Sequence, residues 1–384
     1  RDFLADLVRG SFVCRFIPVE DAIGVIRENA QRRALSSIGS VMFTSATTSQ
    51  KSVSEIISEA AASLDEVAAS SRQSARSKYD AAGAAEAAFA HMDGQAGSSN
   101  PPTGLQDLDD VLGGWPKGEL SVLAGRPGMG KSAVATTCLI RAAKAKFGCL
   151  FFSLEMTAKQ LGARIVTDLA YTSDNPIYYE DVLKRKLDDR AKQRLRDVHS
   201  FLKTLPVAIE EQRGLSISDL VTRSRKQAAQ WEQDGGSLDV VFVDHMLLLK
   251  ASQRYAGNRV REVAEISDGL ASLAKELNCA VVALCQLNRG VEGRDVKRPS
   301  LSDLRDSGAI EEDASTVTFI YRPAYYLGQM RAEGEAEQKR LAALDASKNL
   351  LEFIVAKNRN GGVGIVDAFV DIGANVVRSK AYGR

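Results

Sequence analysis

Several features that would direct the chain to a membrane or an oxidising compartment are missing from the sequence. No stretch approaches the roughly 18 uninterrupted apolar residues of a membrane-spanning helix, so no membrane contact is predicted. The opening segment RDFLADLVRG has no basic region followed by an apolar core, so no secretory signal is predicted. The five cysteines are scattered, odd in number and without CxxC spacing, which predicts reduced thiols in a cytoplasmic protein and no zinc site.

A strong net charge is also missing. The 50 Lys and Arg residues against 49 Asp and Glu leave a formal net charge of +1. The chain as a whole therefore lacks the basic excess that is typical of a nucleic-acid-binding domain, and any DNA contact must be local. His91, His199 and His245 share no metal-like spacing and are predicted to be structural.

Length and composition divide the chain into three parts. A chain of 384 residues predicts two units joined by a linker, since domains usually have about 100 to 200 residues. Residues 1–72 are rich in Ala, Ser, Glu and Arg, and their apolar spacing predicts amphipathic helices. Residues 73–104 shift to Ala, Gly, Ser and Pro around a short helix-like run, AAEAAFAHM, which predicts a linker.

The third part, residues 105–384, alternates apolar β-rich runs with helical patterns. Continuous apolar strands separated by helices indicate an α/β fold, with a mainly parallel sheet covered on both faces. Two final segments, GIVDAFVDI and NVVRS, could add antiparallel strands at one edge. The other predicted strands are ELSVLAG, CLFFSLE, LDVVFVDHMLLL, CAVVALCQ, TVTFIY and LLEFIVAK.

A phosphate-binding loop is the strongest single motif. In such a loop the backbone amides hold phosphates at a helix N-terminus, Lys131 reaches the β and γ phosphates, and the Ser132 hydroxyl can hold Mg²⁺. A glycine-rich turn that binds nothing is the alternative, but the flanking strand and helix favour the phosphate site. The complete GxxxxGK[ST] motif consists of Gly125, Arg126, Pro127, Gly128, Met129, Gly130, Lys131 and Ser132.

Three polar residues end predicted strands, where P-loop enzymes carry their catalytic groups. Asp244 ends VVFVD and could complete a magnesium site, or it could be a helix-capping or turn aspartate. Glu155 ends CLFFSLE and could polarise the attacking water, or it could be a solvated strand-end residue. Gln286 ends AVVALCQ and could bind the γ-phosphate, although a strand-end glutamine is more often a surface residue.

Two basic segments follow these strands. Lys357 and Arg359, just beyond LLEFIVA, could reach a neighbouring subunit's nucleotide as an arginine finger does, or could be solvated hairpin charges. The long glycine-rich segment after Gln286 could offer arginines and backbone amides to DNA phosphates, or could be an ordinary loop. Its basic residues are Arg289, Arg294, Lys297, Arg298 and Arg305.

Over residues 101–378 the sequence resembles the DnaB replicative helicases. The resemblance is carried, in order, by PTGLQDLDDVLGGWPKGELSVLAGRPGMGKS, SLEM, VVFVDH, QLNR, DLRDSGAIEEDA and VAKNRNG. It implies a RecA-like fold and a homohexameric ring with ATP and Mg²⁺ at the subunit interfaces. It also implies movement along single-stranded DNA in the 5′ to 3′ direction, unwinding of duplex DNA, and a primase and a helicase loader as partners.

The same resemblance implies roles for the residues of the nucleotide site. Lys131 and Ser132 would bind nucleotide and magnesium, and Asp244 would be the Walker B acid. Glu155 would be the catalytic base. Gln286 would sense the γ-phosphate.

Two further groups of residues take their roles from the resemblance alone. Arg305, Asp306 and Gly308 would form a loop that binds the DNA backbone. Lys357 and Arg359 would act on the nucleotide of the adjacent subunit. All of these assignments follow from the family's motifs and the positions that match them.

Outside the motor region the resemblance is weaker. Residues 1 to about 70 resemble the later part of the family's helical N-terminal domain, and AAEAAFAHM matches a linker helix that docks on the next subunit. The earlier part of that domain is not in the sequence, which weakens the expected contact with primase. A charged stretch at 331–348 is longer than the family's loop and predicts an exposed helical insertion or a partner site.

Three positions depart from the family's pattern. His245 stands where a tyrosine is usual, Cys285 replaces a common serine, and Asp306 replaces a usual glutamate. Two other functions compete with the helicase: a RadA-type recombination ATPase, and an assembly module that binds nucleotide without productive turnover. The wording of DLRDSG and AKNRNG and the helical N-terminal region favour the helicase over the first. The presence of Glu155, Lys131 and Arg359 together argues against the second, because an assembly module needs no water-orienting base.

Overall fold

Two units make up the chain in a computed structural model, one spanning residues 1–97 and the other residues 98–384. The structure describes residues 19–49, single positions between 52 and 67, residues 81–92, and residues 100–380 except 256 and 295. Helix α1 (Val19–Thr48) and helix α2 (Ala81–Met92) belong to the first unit. Both agree with the helical character predicted there, while the boundaries predicted at residues 72 and 104 remain predictions.

The second unit contains a nine-stranded sheet in the order β3-β2-β4-β5-β1-β6-β7-β8-β9. The first six strands in this order are parallel, and β7, β8 and β9 continue the sheet in antiparallel pairs. The strands are β1 (Leu120–Gly125), β2 (Cys149–Ser153), β3 (Val207–Glu211), β4 (Val240–Asp244), β5 (Ala280–Gln286), β6 (Thr316–Tyr321), β7 (Leu350–Asn358), β8 (Gly364–Asp371) and β9 (Val376–Ser379).

Helices connect the parallel strands and cover both faces of the sheet. They leave two separate apolar clusters, one on each face, as expected for strands that are buried on both sides. The described helices are α3 (Gln106–Leu112), α4 (Lys131–Lys144), α5 (Ala158–Leu169), α6 (Tyr179–Lys184), α7 (Asp189–Leu202), α8 (Ile217–Gln233), α9 (Arg259–Leu277), α10 (Gly308–Asp313), α11 (Pro323–Gln329) and α12 (Gly334–Ser347).

The predicted α/β class and mainly parallel sheet are confirmed, including the two antiparallel strands at the edge. One strand was missed: β3, which pairs with β2 at the other edge of the sheet. Its residues are half-buried or exposed, so the segment lacks the continuous apolar run that marks the interior strands. Among the described residues, none of the helices has the length and apolarity to cross a bilayer.

The charged stretch at 331–348 is largely helical and exposed, as predicted. Helix α12 covers most of the charged stretch, and nearly all of its residues are exposed or half-buried. Arg340 attaches it to α11 by donating to the carbonyl of Leu327 at 2.6 Å, and it also pairs with Glu337 within α12. Helices α11 and α12 therefore form a helical hairpin between strands β6 and β7.

Candidate nucleotide-binding site

The residues that were predicted to bind or hydrolyse nucleotide lie together at the carboxyl-terminal ends of the parallel strands. Parallel strands all end at the same edge, and β1 ends at Gly125 directly beside Gln286 of β5. On the other side of β5, β4 ends at Asp244, which is level with Ser153 of β2. The fold therefore brings the phosphate loop, Asp244, Gln286 and the segment after Ser153 together, as the sequence predicts.

The phosphate loop depends on glycine at two positions. Gly128 and Gly130 have φ angles of 81° and 95°, in the left-handed region that side chains disfavour. A Cβ atom on Gly128 would lie 2.7 Å from the ring of Tyr325, and one on Gly130 would lie 2.9 Å from Ile372. Helix α4 starts directly after this loop without a side-chain cap or an acidic residue in its first turn. Its N-terminal amides are thus available to an anion.

Lys131 lies over the loop that it follows. Its ammonium group donates to the carbonyl of Gly125 at 2.8 Å and to that of Arg126 at 3.3 Å. Burial lowers the pKa of Lys131, and the nearby Asp244 carboxylate opposes this shift. The cation is therefore held at the mouth of the phosphate cradle by weak carbonyl acceptors, which an anionic phosphate could replace.

Ser132 and Asp244 lie side by side below the loop and are joined by a hydrogen bond. The Ser132 hydroxyl donates to Asp244 Oδ2 at 2.9 Å, and Asp244 is 1% exposed. Burial raises the pKa of Asp244 to about 6, while the hydrogen bond from Ser132 partly opposes this shift. A buried carboxylate with a neighbouring hydroxyl suits Mg²⁺, which takes few protein oxygens and completes its shell with phosphates and water.

The raised pKa of Asp244 has a consequence for stability. In the unfolded chain an aspartate has a pKa of about 3.9, so the folded state holds the proton to higher pH. The folded chain therefore loses stability at this residue as the pH rises from about 4 to about 6. We expect Asp244→Asn, which cannot ionise, to gain on the order of 2 kcal/mol relative to wild type between about pH 4.5 and pH 7.5.

Urea unfolding of both proteins at both pH values, without nucleotide or magnesium, measures this difference. Other titrating groups are shared by the two proteins and cancel in the comparison. A constant difference between variant and wild type at the two pH values would contradict the expected shift.

Glu155 and His245 face each other beyond the ends of β2 and β4. His245 Nε2 lies 4.0 Å from Glu155 Oε2, and the side chain of Glu155 is 61% exposed. Burial lowers the pKa of His245, while Glu155 opposes that shift. A neutral imidazole leaves the glutamate free to accept a proton from water. His245 was predicted to be structural, and no motif in the sequence indicated that it would lie beside the predicted base.

Gln286 is exposed at the edge between the phosphate loop and the segment that follows β5. That segment contains a 3-10 helix at Arg289–Gly293 and a second one at Leu301–Ser307, which leads into α10. The side chains of Arg305 and Asp306 lie outside the described part of the structure, and the backbone of Gly308 is exposed where α10 begins.

Most of the basic residues predicted for this segment bind the protein itself. Arg294 pairs with Asp303 at 2.5 Å, and Lys297 donates to a main-chain carbonyl. Arg298 forms two hydrogen bonds to Glu352, at 2.7 and 2.8 Å. These three side chains therefore organise the segment, which leaves its backbone and residues 305–308 as the predicted DNA contact. Those residues, which were predicted as a loop and keep the name 305–308 loop, form the end of the 3-10 helix and the first residue of α10.

Lys357 and Arg359 lie away from their own phosphate loop. Lys357 is level with Val317 near the start of β6, whereas the phosphate loop follows the opposite end of β1. Measured along the strand direction, Arg359 and Gly125 are about five residues apart, or roughly 16 Å. Both side chains donate to main-chain carbonyls at the end of α10, those of Glu311 and Glu312. Within one chain they do not join the site.

Two further residues contact the phosphate loop and were missed as part of the site. Arg322 donates to the carbonyl of Gly128 at 3.2 Å, and the Tyr325 ring packs against the same glycine. Tyr325 also meets Tyr326 edge to face, with ring centroids 5.3 Å apart. No sequence motif indicated this contact, because Tyr325 lies almost two hundred residues from the loop that it supports.

The geometry matches a known family. Residues 101–372 match the family model described as the DnaB-like helicase C-terminal domain. The chain belongs to that family. The resemblance drawn from the sequence motifs is thereby confirmed.

DnaB-like proteins with curated names and solved structures agree with this membership. "Replicative DNA helicase DnaB" of Rickettsia typhi is 39% identical over 282 residues, which cover 70% of this chain and 54% of the relative. A structure described as a DnaB-like replicative helicase and its interactions with primase has a TM-score of 0.71 at 25% identity, covering 94% of this chain and 78% of that one. A second solved structure, described as an ATPase domain, has a TM-score of 0.66 at 26% identity, covering 78% of this chain and 99% of that domain.

The match to the curated DnaB proteins covers only part of their length. The chain spans about half the length of the curated relatives that it matches, 54% of the one from Rickettsia typhi. The match covers the region that carries the phosphate loop and the sheet. The activity and partners of whole DnaB proteins therefore enter as proposals for this chain.

Proposed function

We propose that this chain is the ATP-hydrolysing motor of a replicative DNA helicase that moves along single-stranded DNA. The observation that carries the proposal is the buried pair of Ser132 and Asp244 beneath the phosphate loop, with Glu155 at the same sheet edge. Family membership supports this function, and the geometry provides a site in which phosphoryl transfer can occur.

Each residue of the site has a definite task in this proposal. The amides of the phosphate loop hold the phosphates, and Lys131 exchanges its carbonyl contacts for the β and γ phosphates. Ser132 and Asp244 would hold Mg²⁺, which, when bound, neutralises phosphate charge. Glu155 orients the attacking water and accepts its proton. The result is cleavage of ATP to ADP and phosphate.

In the same proposal, Gln286 binds the γ-phosphate and transmits its loss to the segment that contacts DNA. It is the last residue of β5, at the mouth of the loop, and the segment that leads to residues 305–308 follows it. We place Arg305, Asp306 and Gly308 against the DNA backbone. Contacts of this kind bind without reading base sequence, as a motor requires.

Assembly into a ring completes the site. Lys357 and Arg359 lie toward the opposite end of the strands from their own phosphate loop, so in this proposal they act on the nucleotide of an adjacent copy. A homohexamer that moves 5′ to 3′ is the arrangement we propose from family membership.

An apolar groove offers a second contact between subunits. It has a volume of about 420 Å³, and residues of α5, α7 and β3 line it, among them Ile165, Leu202 and Ile209. We propose that α2 of one subunit, which exposes 58% of Phe89, occupies the groove of the next. Primase and a helicase loader are further proposed partners, and the cytoplasm, which keeps thiols reduced, is the proposed location.

Steady-state ATP hydrolysis with and without single-stranded DNA tests the proposal, on protein whose mass in solution is measured with ATP and Mg²⁺. We expect several-fold stimulation by DNA in an assembly of about six chains, and unwinding of a duplex with a 5′ single-stranded tail. DNA-stimulated hydrolysis without unwinding would favour a RadA-type ATPase. Tight nucleotide binding without turnover would favour an assembly module.

A further inference from the structure

The side chain of Arg126 leaves the phosphate loop to which its backbone belongs. Its Nε and Nη2 atoms donate to Glu292 Oε1 at 2.9 and 2.5 Å. Its Nη1 atom donates to the carbonyl of Leu287 at 2.7 Å. The residue is 8% exposed, so its guanidinium is enclosed between the loop and the segment after β5. In the sequence motif this position can be any residue. In the structure the Arg126 side chain joins the phosphate loop to the segment after β5.

The partners of Arg126 lie on the path to the predicted DNA loop. Leu287 directly follows Gln286, and Glu292 belongs to the 3-10 helix Arg289–Gly293. Two residues further on, Arg294 pairs with Asp303 at 2.5 Å. Asp303 in turn accepts from the backbone amide of Ser300, at the start of the 3-10 helix Leu301–Ser307. Polar contacts therefore continue from the phosphate loop to the residues just before the 305–308 loop.

The Arg126 contacts resist being broken one at a time. A buried guanidinium that loses its carboxylate partner keeps the cost of burial without the compensating attraction. Hydrogen bonds between charged groups are also roughly twice as strong as neutral ones. Because the main chain of Arg126 is part of the phosphate cradle, a shift of the cradle on phosphate binding must carry Glu292 along or break the pair. This link is separate from Gln286, which acts through its own exposed amide.

We propose that Arg126 and Glu292 are positioning residues that couple the phosphate loop to the 305–308 loop. The inference rests on the proposed function, since it concerns how ATP and single-stranded DNA influence each other. Coupling of this kind is reciprocal: DNA changes the affinity for nucleotide by the same factor by which nucleotide changes the affinity for DNA. A contact that only stiffens the phosphate loop would have no such reciprocal effect.

Glu292→Gln is the direct test, because it keeps the size of the side chain and removes its charge. The side chain of Glu292 is 47% exposed, and glutamine keeps an oxygen that can accept the hydrogen bonds from Arg126 while it removes the charge. The variant is therefore expected to fold and to keep wild-type hydrolysis without DNA. Stimulation of hydrolysis by oligo(dT) is expected to fall on the order of threefold to tenfold. The gain in oligo(dT) affinity caused by a non-hydrolysable ATP analogue should shrink by a similar factor.

Glu276→Gln is the matched control. Glu276 accepts two hydrogen bonds from Arg225 at 2.8 Å, so it is an arginine-bound glutamate like Glu292, but it links α8 to α9. This variant should keep wild-type stimulation. In the pair Arg126→Gln and Glu292→Gln, the double variant should lose no more stimulation than Arg126→Gln alone, since the two residues act through one contact.

The outcomes separate this inference from the proposed function. Wild-type protein without any stimulation by DNA would overturn the proposed function and, with it, the coupling. Stimulated wild type with equally stimulated Glu292→Gln would overturn the coupling alone. A proportional loss of hydrolysis with and without DNA would also overturn it, because the pair would then only hold the phosphate loop in place.

Discussion

Glu155→Gln is expected to lower ATP hydrolysis by a factor on the order of 10² to 10⁴ while nucleotide affinity stays within about twofold of wild type. Glutamine cannot accept a proton from the attacking water, so the base is lost. The phosphate cradle should persist, since the side chain of Glu155 is 61% exposed and makes no hydrogen bond to the loop among the described residues. Single-turnover hydrolysis and equilibrium binding of a fluorescent nucleotide measure the two quantities.

A matched control separates the base from a general effect of lost charge. Glu180→Gln removes an exposed glutamate on α6 that pairs with Lys184, and it should leave both quantities unchanged. If Glu155→Gln hydrolyses ATP within about tenfold of wild type, another group activates the water. If it loses nucleotide affinity together with hydrolysis, Glu155 holds the loop rather than the water.

Arg359→Ala is expected to lower hydrolysis on the order of 10³-fold in assembled protein, the effect of losing an arginine finger. The physical reason is position: Arg359 lies beyond the start of β6, at the opposite end of the strands from its own phosphate loop. Its side chain donates to the carbonyl of Glu312, so the variant also loses one contact within its own subunit. Urea unfolding checks that this loss leaves the fold intact.

Mixed assemblies test whether Arg359 acts between subunits. Lys131→Ala should be inactive because its own phosphate loop is impaired, but it retains Arg359. Mixing it with Arg359→Ala creates interfaces that have an intact loop on one side and an intact arginine on the other. Hydrolysis by the mixture should exceed the sum of the two variants alone, while Lys339→Ala on α12 should behave as wild type throughout. Activity equal to the sum would exclude a role in trans.

Much of the larger unit could be predicted because its elements are encoded locally. Strands such as β4 and β5 are continuous apolar runs, since both faces of a parallel sheet are buried. The phosphate loop is equally local, because its glycines meet a backbone requirement of a single turn. Strand β3 escaped detection since an edge strand needs no apolar run, and only its pairing with β2 identifies it.

The parts of the site that were missed depend on contacts across long stretches of chain. Arg126 and Glu292 are 166 residues apart, and neither has a neighbour in the sequence that indicates the other. Arg298 and Glu352 are also far apart in the sequence. Arg298 was predicted to offer its charge to DNA phosphates, and in the structure it forms an ion pair with Glu352 instead. Charge alone therefore does not predict which basic side chains are free to bind DNA.

The separation of the phosphate loop and Arg359 on one sheet has a consequence for how copies can associate. If each contact joins the loop of one copy to the arginine of the next, the two surfaces differ, and the interface is heterologous. Such contacts produce either a closed ring or an open helical filament, depending only on the rotation between neighbours. Opening one interface of a ring, as threading around a DNA strand requires, would then silence a single active site and leave the others complete.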